Sequence, residues 1–302
     1  MHPPLVLLCF PRSYSSVVCA MIGQHPEMYG FPELNLFLTG RLNELVELDE
    51  QHETAACLPK GMYLGGLLQA LAEVSFEGQT EQGLRKARAW INRNQAWPTA
   101  RVFEFLLRRI QPRMGVEKSC RTAMSRAALA RAASHPGVLF LHLTRHPIAA
   151  VRSMLECQAN LTVAACKPMI GIPDSAAYYS RLWCFVQRLI LAFTTTLPHR
   201  RAMRLRAEDA LSAPEAVLSE LARWIGVRSD PEAIDRMRHP EHSPFARIGP
   251  LSTLSGSDPK FLKDPRLRPP IRPSGFELPS EWNLSGVLAQ SMCDLTRQLG
   301  YA

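Results

Sequence analysis

Leu5-Val-Leu-Leu-Cys-Phe-Pro-Arg-Ser-Tyr-Ser-Ser16 is an apolar run that breaks into a short polar turn. Leu5 to Phe10 is apolar without alternation, which predicts a central strand covered on both faces. Pro11 ends it, and Val17 to Gln24 reads as a helix. The turn between them is an anion cradle. A helix N-terminus offers unpaired backbone N–H groups and a partial positive charge. Ser13, Ser15 and Ser16 add hydroxyls, and Arg12 adds a cation with a fork suited to oxyanions. An ordinary N-cap is the plainer reading of the serines. The GxxxxGK[ST] pattern is missing, which argues against an ATP or GTP hydrolase.

A second stretch repeats this physics. Val138-Leu-Phe-Leu-His-Leu-Thr144 is the clearest other strand, and Arg145-His-Pro147 follows it into a helix that carries Ser153. Arg145 stands at the strand end where α/β sheets bind ligands, and Ser153 faces it from the helix. Structural alternatives are an Arg that caps carbonyls and a packed Ser, and His146 reads as part of the turn. Two such cradles point to a ligand with separated charges, such as a nucleotide phosphorylated at both ends.

Outward from these sites the chain alternates strands and helices. Gly115–Ser119 and Ala202–Arg206 read as further strands. Helices are predicted over Asn35–Asp49, Thr122–Ala133, Ala176–Leu197, Pro214–Ile225 and Ser280–Leu299, with Glu208–Ser212 as a turn. The class is α/β: a central parallel sheet flanked by helices. Residues 1–302 read as one domain, with a basic helical insertion over about 50–112 and a Pro-rich loop over about 250–279.

Composition bounds the function. The chain has 302 residues, a net charge of +8 and 46% hydrophobic residues, so it buries a core and is not disordered. The positive balance points to an anionic partner. Nucleic acid is disfavoured, since no binding motif or aromatic-interleaved basic helix is present. No apolar stretch is long enough to span a bilayer, and the N-terminus does not read as a signal peptide. None of the eight cysteines forms a CxxC pair, which leaves metal-ribbon chemistry without support and favours a reducing, cytoplasmic home.

Together, Pro11–Ser16, Arg145-His-Pro and Ser153 resemble the sulfotransferases that use 3′-phosphoadenosine 5′-phosphosulfate (PAPS). Other stretches agree: Gln24-His-Pro26, Pro32-Glu33, Glu117-Lys-Ser119, Glu208-Asp-Ala-Leu211 with Pro214-Glu-Ala-Val-Leu218, and Leu299-Gly-Tyr301. Glu117-Lys-Ser119 is similar to a segment of bacterial members, including those of polyketide assembly lines. The resemblance implies a P-loop-NTPase-like sulfotransferase fold, with Arg12 to Ser16 holding the 5′-phosphosulfate and Arg145 and Ser153 the 3′-phosphate. It implies transfer to a hydroxyl of a small molecule or a carrier-bound acceptor, with no metal. Three departures stand out. Tyr14 takes a position usually held by Gly, Ala207 one often held by Tyr, and Cys120 one often held by Pro. They motivate an alternative, a catalytically altered nucleotide-binding protein of the same fold; a nucleotide or small-molecule kinase is a further one. Gly256, Lys260, Lys263, Arg266 and Arg268 of the Pro-rich loop are expected to cover the nucleotide.

Sulfuryl transfer needs positive charge at the oxygens and a base for the acceptor. Arg12 and Lys118 are the candidate cations. Glu33 is the first candidate base, as in comparable Pro-Glu contexts of bacterial sulfotransferases, and His142 the second, ahead of His25 and His52. A satisfied core residue is the competing reading of His142. Met62, Tyr63, Leu67, Met169 and Ile170 are apolar candidates for the acceptor wall, with core packing as the alternative.

Overall fold

Five strands alternate with helices in the computed structural model, which describes residues 3–56, 61–161, 175–250, 256–270 and 275–301. The strands are β1 (Leu5–Cys9), β2 (Met28–Gly30), β3 (Met114–Glu117), β4 (Leu139–Thr144) and β5 (Ala202–Arg206). Their order is β2-β3-β1-β4-β5, and every pairing is parallel. β1 is therefore central, and the chain leaves it towards β2 and β3 on one side and β4 and β5 on the other. Such a reversal opens a crevice at the carboxyl ends of the strands.

The unbroken apolar run of β1 serves two cores at once. Leu5, Leu7 and Cys9 face a layer that includes helix α1 (Ser15–Gly23), while Val6, Leu8 and Phe10 face the opposite layer. β4 divides the same way: Leu141 and Leu143 join the first layer and Phe140 the second. This is the period-2 alternation of a strand buried on both sides.

The basic segment after β2 is helical. Helices α2 (Leu42–Ala56), α3 (Gly65–Ser75), α4 (Glu81–Arg93) and α5 (Thr99–Arg109) fill the connection from β2 to β3. Leu84, Ala87 and Ile91 turn inwards on α4, while Arg85, Arg88 and Arg93 are exposed. Arg101, Arg108 and Arg109 on α5 are exposed as well. Most of the insertion's positive charge thus faces solvent.

Helices α6 (Arg126–Ala133), α7 (Pro147–Leu161), α8 (Ala176–Thr194), α9 (Ala207–Ser212), α10 (Pro214–Ile225), α11 (Pro231–Met237), α12 (Pro259–Lys263) and α13 (Gly286–Gln298) complete the chain. Several differ from the periodicity. The helix expected over Asn35–Asp49 is interrupted: a 3-10 turn ends at Leu38, Thr39 is extended, and Glu44 Oε2 accepts from the Gly40 and Arg41 amides to start α2. Glu208–Ser212 is the helix α9, not a turn. β2 is three residues long and exists by pairing with β3, so no local run announces it. Among the described residues no helix is long and apolar enough to cross a membrane.

Candidate active site

The turn after β1 is built from two left-handed residues, Arg12 (φ 65°) and Tyr14 (φ 60°). Positive φ is uncommon outside Gly, so the departure at Tyr14 is a strained one. Tyr14 is the N-cap of α1, and its side chain makes no capping hydrogen bond. The first-turn amides of α1 are left for an anion.

The two cradles meet. Arg12 Nε donates to Ser153 Oγ at 3.2 Å, and Arg145 Nη1 donates to the Arg12 carbonyl at 2.6 Å. The Arg145 guanidinium lies over the Tyr14 ring, 4.1 Å from its centroid. Tyr14 thus supports the second cradle from the first. Behind them, Glu208 Oε1 accepts from the His146 amide at 2.8 Å, and Glu208 Oε2 accepts from the Tyr301 hydroxyl at 3.0 Å. The Glu208 segment and Tyr301 lock the turn that carries Arg145.

Lys118 enters from β3. Its side chain is only 2% exposed, so its charge needs partners. It donates to Ser16 Oγ at 2.9 Å and lies 3.4 Å from Glu33 Oε1. Burial pulls the Lys118 ammonium down, but Glu33 and the nearby thiols outweigh it and hold its pKa above the usual value. Glu33 Oε2 is 3.4 Å from Arg121 Nη1, and Arg121 in turn lies over the Tyr63 ring. Ser16 Oγ also accepts from the Asp258 amide at 2.9 Å. With two donors aimed at its lone pairs, the Ser16 hydroxyl has its own proton left to donate.

Glu117, next to Lys118, is fully buried. Its Oε1 accepts from the Ser119 amide and hydroxyl, and Ser119 Oγ accepts from the Asn35 amide at 2.8 Å. Burial pushes the Glu117 carboxyl up to about 7. This chain of bonds ties the Glu33–Asn35 segment to the end of β3.

A cavity of about 750 Å³ opens over the cradles, within the range of small-molecule sites. Arg12, Tyr14, Ser16, Arg145 and Ser153 line it from below, and Lys260, Arg266 and Arg268 from the Pro-rich segment. Asp258 pairs with Arg12 at 2.6 Å. The donor set fits a polyanionic nucleotide: several cations converge, and among the described residues Arg145 Nε, on the cavity lining, and Ser13 Oγ, in the same turn as Arg12, are buried donors without a partner. Such atoms are rare in folded proteins.

The histidines sit elsewhere. His142 alternates with Leu141 and Leu143 and faces α8, where its Nε2 bonds Gln187 Oε1 at 2.8 Å. Burial lowers it to about 4. The structure therefore does not bring His142 to Glu33 and Lys118; strand alternation turns it into the core. His25 is held between the Arg228 carbonyl and the Glu27 amide. Tyr63 and Leu67 are buried in the core, with Met62 packed against it. The His52 side chain, Met169 and Ile170 lie outside the described residues. Arg121 and Asp258 were not singled out from sequence. Arg121 sits one 3-10 turn after Lys118, and Asp258 before Pro259 reads as an N-cap, a role it does fill by accepting from the Lys260 amide.

No curated protein sequence matches. Solved structures do. The sulfotransferase domain from the curacin biosynthetic pathway superposes with a TM-score of 0.74 at 23% identity, covering 100% of this chain and 99% of that one. The sulfotransferase domain from the Synechococcus PCC 7002 olefin synthase gives 0.72 at 22% identity, covering 100% and 95%. A sulfotransferase of Mycobacterium avium gives 0.55 at 14% identity, covering 100% and 78%. At these identities the likeness shows the fold alone, a parallel sheet flanked by helices. A family model described as "Sulfotransferase family" matches residues 3–231, a span that holds both cradles, Lys118 and Glu33, and on that match the chain belongs to the sulfotransferase family.

Proposed function

We propose that the protein moves a sulfuryl group from 3′-phosphoadenosine 5′-phosphosulfate to a hydroxyl of a small-molecule or carrier-bound acceptor. One observation carries this reading: Arg12, Ser16, Arg145 and Ser153 converge on one cavity, while Lys118, behind Ser16, bonds its hydroxyl and pairs with Glu33. The nucleotide supplies the activated sulfuryl group and departs as the 3′,5′-bisphosphate.

The chain's own residues divide the work. Arg145, Ser153 and the unpartnered Ser13 hydroxyl bind anionic oxygens. Arg12, the open amides of α1 and the Ser16 proton stabilise charge as it develops on the 5′-phosphate side. Lys118 keeps the Ser16 proton pointed outwards and adds a buried cation. Glu33 takes the acceptor's proton, and Lys118 and Arg121 hold its carboxylate in place. Residues 256–270 cover the nucleotide. The related domains belong to a biosynthetic pathway and an olefin synthase, which supports a biosynthetic hydroxyl as acceptor.

The test is incubation with labelled PAPS and a panel of free and carrier-bound alcohols, read as a mass gain of one sulfuryl group. Glu33→Gln should lower turnover by roughly 10²–10⁴ while bisphosphate binding persists. Unchanged turnover removes Glu33 from the scheme. The Arg12–Asp258 pair favours one second reading, since an internal carboxylate already occupies a cradle cation. On that reading the protein binds the bisphosphate without transferring sulfate to any acceptor, and the same experiment decides between the two.

A further inference from the structure

Away from the cavity, helix α11 ends at Met237 and is followed, after Arg238, by the sequence His239-Pro-Glu-His242. Pro240 starts a single 3-10 turn, Pro240–His242. The tight winding gathers three ligand-bearing side chains. One nitrogen of each histidine and one Glu241 oxygen all lie within 4.8 Å of one another. His239 Nδ1 is 2.9 Å from Glu241 Oε1, and the two imidazoles stack with centroids 5.2 Å apart. The Glu241 side chain is 30% exposed and His242 is exposed, yet Glu241 Oε2 is shielded from water and has no hydrogen-bond partner among the described residues. Among the described residues no Lys or Arg pairs with Glu241, and Arg238 beside it is engaged by Asp235.

Ordinary packing leaves this arrangement incomplete. A carboxylate oxygen shielded from water and without a donor is uncommon. One divalent cation supplies that partner while bonding the imidazole nitrogens gathered beside it. The donor set selects its class. Two imidazoles and a carboxylate suit zinc, cobalt, nickel or copper, whereas magnesium and calcium favour all-oxygen sites. The turn packs on α1, and His242 lines a polar cavity of about 360 Å³.

We propose that His239, Glu241 and His242 form a binding site for a divalent transition-metal ion of the zinc class, which ties together the side chains of this one turn and takes no part in sulfuryl transfer. The proposal stands independently of the catalytic reading.

Untagged, EDTA-treated protein titrated with Co²⁺ and then Zn²⁺ tests it. Wild type should take up one Co²⁺ with a visible absorption band, lose it to Zn²⁺, and gain a few degrees of Tm in excess Zn²⁺. The His239→Ala/His242→Ala variant should bind at least tenfold more weakly and show no Tm gain, with an unchanged circular dichroism spectrum. Equal binding by wild type and variant overturns the site. So does a cobalt spectrum dominated by thiolate charge transfer in both, which assigns the metal to cysteine. Should the double variant fail to fold, Glu241→Gln and His242→Gln carry the same comparison.

Discussion

Tyr14 holds a left-handed backbone, a conformation that costs a non-Gly residue about 1 kcal/mol or more. Its ring explains why a side chain is there at all: it supports the Arg145 guanidinium at 4.1 Å. A cation–π contact of this kind contributes about 0.5–2 kcal/mol. Tyr14→Ala retains the strain and loses the ring, so Arg145 is held less firmly. Bisphosphate affinity by calorimetry should fall by roughly two- to tenfold; unchanged affinity would show that Arg145 needs no such support. The strain at this position was legible from the sequence as a condition, a Tyr where Gly is usual. The ring's partner was not, because Arg145 is distant in the chain and meets Tyr14 only through the β1–β4 pairing.

At the scale of elements, three segments touch at Glu33. The Glu33 amide donates to the Gly256 carbonyl at 2.9 Å. Gly66, in the first turn of α3, lies so close that a Cβ there would come within 2.0 Å of the Glu33 carbonyl oxygen. A Cβ on Gly256 would come within 2.7 Å of the Gly66 Cα. These neighbours are backbone and cannot swing aside, so the insertion, the Glu33 segment and the Pro-rich segment are packed to contact. Gly66→Ala should force them apart, costing about 1–3 kcal/mol by urea unfolding and lowering turnover by moving Glu33 away from Lys118. A variant with wild-type stability and turnover would show that the segments are loosely held. The sequence reads the insertion as helical without dividing it into helices. It gives no sign that α3 starts against Glu33, since nothing in a local pattern records which backbone lies opposite a Gly.

Over the whole molecule, two buried groups on the sheet oppose each other as pH changes. His142 sits at about 4 instead of its ordinary 6.5. The unfolded chain takes up that proton first, so the stability His142 contributes is complete above about 6.5 and is lost as pH falls towards 4. Glu117 sits at about 7 instead of 4.5. The folded chain keeps that proton longer, so its contribution is complete below about 4.5 and is lost as pH rises towards 7. Each shift corresponds to about 3 kcal/mol, and the two slopes offset one another. Glu117→Gln should leave stability rising from pH 4 to 6.5, and His142→Asn should leave it falling from 4.5 to 7, as read from urea midpoints across that range. Two variants that keep the wild-type profile would contradict the burial of both groups.

The fold class follows from the sequence alone, and both strand-to-helix turns are legible there as candidate anion sites, because they rest on local signals. Unbroken apolar runs make buried strands, and a polar turn entering a helix presents backbone amides wherever it is placed. Lys118 and Glu33 were also legible, though as separate candidates. The tertiary structure decided how these parts combine. Parallel pairing of β1 with β3 and β4 brings Lys118 to Ser16 and Arg12 to Ser153. Strand alternation sends His142 to Gln187 and away from the base. Asp258 reaches Arg12 from 246 residues further along the chain. A sequence pattern encodes what a residue does to its near neighbours, whereas ion pairs, burial and the resulting proton affinities depend on which distant segments the sheet sets side by side.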